Sequence, residues 1–153
     1  MHRSAPHLHD IAVRAADIDE MGHVNNSTYL TWVQAAVLGH WRALAPGEAV
    51  SAYRWVAIKH EITYRKPAFL GDALAATVFL ERVRRESAYY ETLIHRGPEL
   101  IAEARSRWCC IDAATLRPAC LPPEVVAGFL FENAGGSPAA QPCEKPMIGT
   151  AAG

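Results

Sequence analysis

Between Ser27 and Leu44 the apolar residues Leu30, Val33, Val37, Trp41 and Leu44 recur at spacings of three and four, which gives one helical face. Trp32, Ala35 and Leu38 widen that face beyond an ordinary stripe, so the pattern predicts a long helix wrapped by other elements. Asn25, Asn26 or Ser27 can supply its N-cap oxygen, and Pro46-Gly47 ends the run. Elsewhere the period is two. His9, Ile11 and Val13 alternate with Leu8, Asp10, Ala12 and Arg14 in a first strand. After a linker from Glu48 to Arg54, Val56, Ile58, His60, Ile62 and Tyr64 fall on one side of a second strand. Trp55, Lys59, Glu61, Thr63 and Arg65 fall on the other. Pro67 and Gly71-Asp72 mark a turn, after which Leu74, Ala76, Val78 and Leu80 alternate with Thr77, Phe79 and Glu81. Tyr89 to Arg96 is rich in aromatic and branched residues and stops at Gly97-Pro98. The last strand sets Leu100, Ala102, Ala104, Ser106, Trp108 and Cys110 against Glu103, Arg105, Arg107 and Cys109. Pro122-Pro123-Glu124 opens a short helix through Phe131.

One strand, one long helix and four strands on short turns imply an α+β domain, with a curved antiparallel sheet around the helix. One helix cannot cover both faces of such a sheet, so the polar face of the later strands meets water or a second subunit, and at least a dimer is expected. Residues 1–133 read as a single domain. The remainder, 134–153, is rich in Gly, Pro and Ala and is expected to stay disordered.

Composition mainly excludes. A net charge of −1 offers no general attraction to nucleic acid or to an anionic membrane. No apolar run reaches the ~20 residues of a membrane span, and the N-terminus lacks the hydrophobic core of a secretory signal, so a cytoplasmic protein is expected. Cys109, Cys110, Cys120 and Cys143 show no C-x-x-C spacing; Cys109 and Cys110 read as strand residues facing opposite sides, and Cys143 as a free thiol. His7 and His9 alternate on a strand with no completing ligand, so they read as surface residues and no metal is expected. No G-x-S-x-G, Walker or dinucleotide-binding pattern occurs, and no cofactor is expected.

The chemistry concentrates between Asp17 and Tyr29, where two carboxylates, a glycine, a histidine and two asparagines precede the helix. Exposed backbone N–H groups at a helix N-terminus attract developing negative charge, so a carboxylate and an imidazole delivered there form a reaction site. Asp17 is read as a hydrogen-bond acceptor that holds the loop. Asn25 and Asn26 are caps that also fix those N–H groups.

The run Asp17-x-Asp19-x-x-Gly22-His23-Val24-Asn25-Asn26-x-x-Tyr29 resembles the signature of hotdog-fold acyl-CoA thioesterases of the 4-hydroxybenzoyl-CoA thioesterase type. Tyr64-Arg65-Lys66-Pro67-Ala68 with Gly71-Asp72 resembles that family's second landmark. Ile111-Asp112 with Arg117-Pro118 and Leu121-Pro122 resembles the end of its last strand. The similarity covers about Ile11 to Val126. It implies a hotdog fold, a homodimer or homotetramer with its active sites at the dimer interface, and an acyl-CoA or acyl-carrier-protein thioester as substrate. By position, Asp19 matches the catalytic carboxylate, as nucleophile or general base. Asn26 falls where a backbone N–H polarises the thioester carbonyl, and Tyr29 falls near the acyl pocket, beside Asn25. His23 joins the catalytic set with a structural hydrogen bond as its competing role. Relatives with the His-Val-Asn-Asn variant tend to carry a polar residue where this chain has Met21, which shifts weight to Asp19. The helix contains no Asp or Glu, only Gln34 midway, and this argues against the arrangement in which a helix carboxylate does the chemistry. Arg82, Arg84 and Arg85 form a cation cluster suited to CoA phosphates, set against the plainer reading of a solvated turn. Two alternatives accompany the hydrolase: a hotdog hydratase or dehydratase, and a non-catalytic acyl-binding protein.

Overall fold

In the computed structural model, which describes residues 4–131, the apolar stripe forms helix α1, Asn26–Leu44. Asn25 is the N-cap, and its side chain accepts from the Ser27 N–H. Tyr29, Trp32, Val33, Ala36, Val37, His40 and Trp41 are its buried residues. The strands are β1 His7–Ala12, β2 Tyr53–Tyr64, β3 Ala73–Arg84, β4 Ser87–Arg96 and β5 Glu99–Asp112. They make one antiparallel sheet in the order β1-β3-β4-β5-β2, whose inner face packs on α1, as the alternation implied. Helix α3, Pro123–Phe131, places Phe129 against His40, Trp41 and Trp55.

Three local expectations are corrected. The linker after α1 holds a short helix, α2, Gly47–Ala52, which follows Pro46 and buries Ala49. A bulge in β2 between Ala57 and Lys59 shifts the strand's phase. Trp55 therefore faces inward together with His60 and Ile62, while Val56 and Ile58 are exposed. An extra residue in one strand moves every later side chain to the other face, which strict alternation cannot reveal. Finally, His7 and His9 share the inward parity of Ile11 and face α1 rather than solvent. A Cβ on Gly39 would lie 3.5 Å from His9 Nδ1 and 3.7 Å from His7 Nε2. Cys110 is buried and Cys109 half-buried on the opposite face. The expected C-terminal tail and Cys143 lie outside the described residues.

Candidate active site

The Asp17–Tyr29 segment folds as a tight hairpin feeding the helix. Ile18 and Val24 form an antiparallel bridge. The Asp19 N–H donates to the His23 carbonyl at 2.9 Å and the Gly22 N–H to the Asp19 carbonyl at 3.1 Å. Gly22 completes the turn at φ +85°, a left-handed conformation that favours glycine. The Met21 N–H then donates to Asp19 Oδ1 at 2.9 Å, an Asx turn that fixes the carboxylate and leaves Oδ2 towards His23 Nδ1 at 3.4 Å. His23 Nδ1 lies equally far from the Val24 carbonyl. These are loose contacts, longer than a well-formed hydrogen bond, and both side chains keep more than a quarter of their surface open to solvent. Asp19 and His23 are thus adjacent, oriented and reachable.

Asp17 does different work. Its carboxylate accepts from the Arg14 N–H at 2.8 Å and its carbonyl accepts from the Asn25 N–H at 2.8 Å, which ties the loop to the helix start. At that start the Ser27 N–H goes to the Asn25 side chain and the Thr28 N–H to the Asn25 carbonyl. Among the described residues no hydrogen bond engages the Asn26 N–H, the first of the helix and one that helical geometry leaves without a partner.

The loop between β2 and β3 braces this arrangement. The Ala68 carbonyl accepts from the Val24 N–H at 2.8 Å, and Tyr64 Oη donates to the Asn26 carbonyl at 2.9 Å. Tyr29, buried, meets Trp32 and Tyr64 edge-on with centroids 5.0 and 5.2 Å away. Burial pushes the Tyr29 phenol up, opposed by the Ala68 backbone. Arg96 donates to Asp72 at 2.7 Å and to the Pro67 carbonyl at 3.1 Å, and also pairs with Glu99. The Phe69 N–H and the Arg96 guanidinium hold the Asp72 carboxyl below its usual range. Tyr64, Ala68 and Asp72 belong to the second sequence landmark, so that landmark is the other half of the site's frame. Arg96 carried no signal in the sequence.

Arg82, Arg84 and Arg85 stand apart. They lie at the far end of β3 from the Ala68 loop, about 35 Å along the strand. Arg82 stacks over Tyr89 at 4.1 Å, and Arg85, at φ 54°, makes the turn into β4. A single chain does not bring them to Asp19.

With this geometry in hand, known proteins bear on it directly. Residues 13–129 match the thioesterase-like superfamily. The chain is 31% identical over 115 residues to the long-chain acyl-CoA thioesterase FadM of Escherichia coli (strain K12), covering 69% of this chain and 83% of that protein. A thioesterase from Thermus thermophilus, solved with coenzyme A and zinc, superposes with a TM-score of 0.69 at 25% identity, over 80% of this chain and 95% of that one. A 1,4-dihydroxy-2-naphthoyl-CoA thioesterase from Synechocystis shares the fold, with a TM-score of 0.69 at 19% identity over 82% and 96% of the two chains. The five-stranded antiparallel sheet around one helix is the hotdog fold, and the chain belongs to the thioesterase-like superfamily.

Proposed function

We propose that this chain hydrolyses an acyl-CoA or acyl-carrier-protein thioester to a free acid and a thiol, by the loop-carboxylate route of the 4-hydroxybenzoyl-CoA thioesterase type. The observation that carries this reading is the partly exposed Asp19 carboxylate, fixed by the Met21 N–H on a turn that runs straight into the N-terminus of α1. Substrate bound with its thioester carbonyl at the Asn26 N–H has that bond polarised by a backbone donor and by the positive end of the helix. Asp19 then attacks the carbonyl carbon, forming a mixed anhydride and expelling the thiolate, and water cleaves the anhydride to two carboxylates. Alternatively, Asp19 takes a proton from the attacking water, and the thiolate leaves without a covalent intermediate. His23 orients the carboxylate through Nδ1. Tyr29 and Asn25 shape the mouth where the acyl group enters. The match to FadM, named for long-chain acyl-CoA, supports a CoA thioester.

The same reading calls for a second copy. Among the described residues strand β2 is paired on one side only, and Val56, Ile58 and Tyr64 on it are exposed. Antiparallel pairing of two β2 edges sets the Tyr53 end of one copy beside the Tyr64 end of the other. Ser87 and Cys109 pair in register, as do Val56 and Cys109, so the Arg82–Arg85 turn belongs to the Tyr53 end. The arginines of a partner thereby come to the side of Asp19, where CoA phosphates need cations. A cytoplasmic location, where CoA thioesters are made, fits this assignment.

A panel of acyl-CoAs with detection of the released thiol tests the activity. Asp19→Asn and Asp19→Ala are expected to lower kcat by about 100-fold or more, the scale of a lost nucleophile or base. Near wild-type turnover in either variant removes Asp19 from the mechanism.

A further inference from the structure

The inner face of the sheet contains a lane of small residues that starts at the site just described. Three consecutive cross-strand rows define it. The first is Ala76, Ile94, Ala102 and Tyr64, the second Val78, Thr92, Ala104 and Ile62, and the third Leu80, Tyr90, Ser106 and His60. Strand β5 therefore offers Ala102, Ala104 and Ser106 in succession along the middle of the floor. Trp108 closes the far end in the next row, its Nε1–H donating to Ser106 Oγ at 3.0 Å. The helix roofs the lane and runs the same way. Its first residue meets Tyr64 in the first row and His40 meets Tyr90 in the third. The end nearest the candidate site is thus at Asn26 and Tyr64, both exposed.

Small residues alone would mean only a close approach of helix and sheet. The polar atoms around the lane say more. Thr92 is fully buried in the second row, beside Ala104, and its Oγ1 has no hydrogen-bond partner. His60, in the third row beside Ser106, has both ring nitrogens shielded from solvent and both without a partner. Its ring stands edge-on to Trp108 at 5.6 Å. A hydroxyl or imidazole out of water without a partner is costly to the empty protein, and a site built around such groups rejects a ligand that cannot pair with them. Val or Leu would fill both positions without that cost. Burial keeps the His60 imidazole neutral, so one nitrogen can donate while the other accepts.

We propose that the acyl group bound here carries a hydrogen-bonding oxygen, a hydroxyl or oxo group part-way along its chain, and that Thr92 and His60 select for it. The inference rests on the thioesterase reading and narrows its substrate class. Rows on one face are spaced by two residues, so Thr92 stands about 7 Å in from the mouth and His60 about 13 Å. The substituent that each residue reads lies several carbons from the thioester; an oxygen there gives Thr92 and His60 the partner they lack in the empty protein, and a plain alkyl chain leaves both unpaired.

The test separates binding from turnover. Non-hydrolysable thioether analogues of acyl-CoA, with a plain straight chain or the same chain bearing one hydroxyl at successive positions, are titrated by calorimetry. The wild-type protein is expected to bind the best-placed hydroxyl analogue at least tenfold tighter than the plain chain. Thr92→Val keeps the side-chain shape and His60→Phe keeps the ring on Trp108. Each is expected to shrink that ratio at least threefold and the pair together to abolish it, through weaker binding of the hydroxyl analogue with plain-chain binding unchanged. Thermal unfolding of Thr92→Val is expected at or above the wild-type temperature, which verifies the fold. Equal wild-type affinity for both analogues, tighter binding of the plain chain, or an unchanged ratio in both variants overturns the proposal. Failure of wild type to release thiol from any acyl-CoA counts against hydrolysis alone, because the binding ratio is read without it.

Discussion

Acidification should destabilise this protein well before its carboxylates titrate, and His40 is the reason. It sits in mid-helix with no solvent exposure, its Nδ1 2.9 Å from Tyr90 Oη and its Nε2 without a partner. Burial, with a smaller contribution from His7, lowers its pKa from 6.5 to about 4. The unfolded chain accepts a proton on this residue below pH 6.5 while the folded chain refuses it until about pH 4. Stability from His40 is therefore complete above pH 6.5, declines between those values and levels off below. At about 1.4 kcal/mol per pKa unit, the loss is about 2 kcal/mol at pH 5 and about 3 kcal/mol once the decline is complete. That is a substantial share of a typical domain's stability of about 5–15 kcal/mol. His7 and His60, also lowered by burial, add to it in the same direction. Asp72, Glu99 and Asp112 have lowered pKa values, so their contributions are lost only as pH falls further. Urea unfolding followed by tryptophan fluorescence at pH 7 and pH 5 isolates the histidine. The stability advantage of wild type over His40→Gln should be smaller at pH 5 than at pH 7 by about 2 kcal/mol. Parallel pH dependence in the two proteins would mean that His40 is protonated or hydrated in the native state, and the burial argument would fail.

Other expectations follow from single contacts. Gly22→Ala meets no atom within 4 Å, so its cost is the left-handed backbone alone, about 1 kcal/mol in denaturant unfolding, and kcat should fall with it because the same turn orients Asp19. Asn25→Ala removes the acceptor of the Ser27 N–H and should cost about 1 kcal/mol, with Asn25→Asp restoring most of it; equal stability of all three proteins would contradict the cap. Ile58→Asp, on the exposed side of the β2 edge, should shift sedimentation towards the monomer and reduce turnover together. A monomer that retains full turnover would show that the site needs no second copy.

What the sequence makes legible is what lies in one contiguous stretch. Helix α1 was readable because its apolar spacing repeats over five turns, and the Asp17–Tyr29 loop because its turn glycine, cap and carboxylates are neighbours in the chain. The β2 bulge was not, since an alternating run looks the same with or without one extra residue. It is the pairing with β5 that turns Trp55 and His60 to the same face. His7 and His9 escape the pattern for a related reason: edge strand β1 has polar residues at two of its inward positions, where they pack beside Gly39 of the opposing helix. His40 and Arg96 left no local trace, because each acquires its role from partners fifty and twenty-four residues away.

The same distinction separates reaction from selectivity. Bond cleavage needs a few groups in a fixed mutual geometry, and a loop of thirteen residues can supply them; hence the carboxylate and the helix start could be read directly from sequence order. The lane proposed for the acyl group is assembled from rows that cross four strands, in which Thr92, Ala104 and His60 are each commonplace in their own strand. Thr in particular is an ordinary β-strand residue, and nothing before the register is known separates a threonine facing water from one facing a helix. Its significance arises only when burial removes every partner from its hydroxyl. A relative could therefore keep the whole Asp17–Tyr29 signature and accept a different acyl group after two substitutions, Thr92→Val and His60→Phe, that leave the signature untouched.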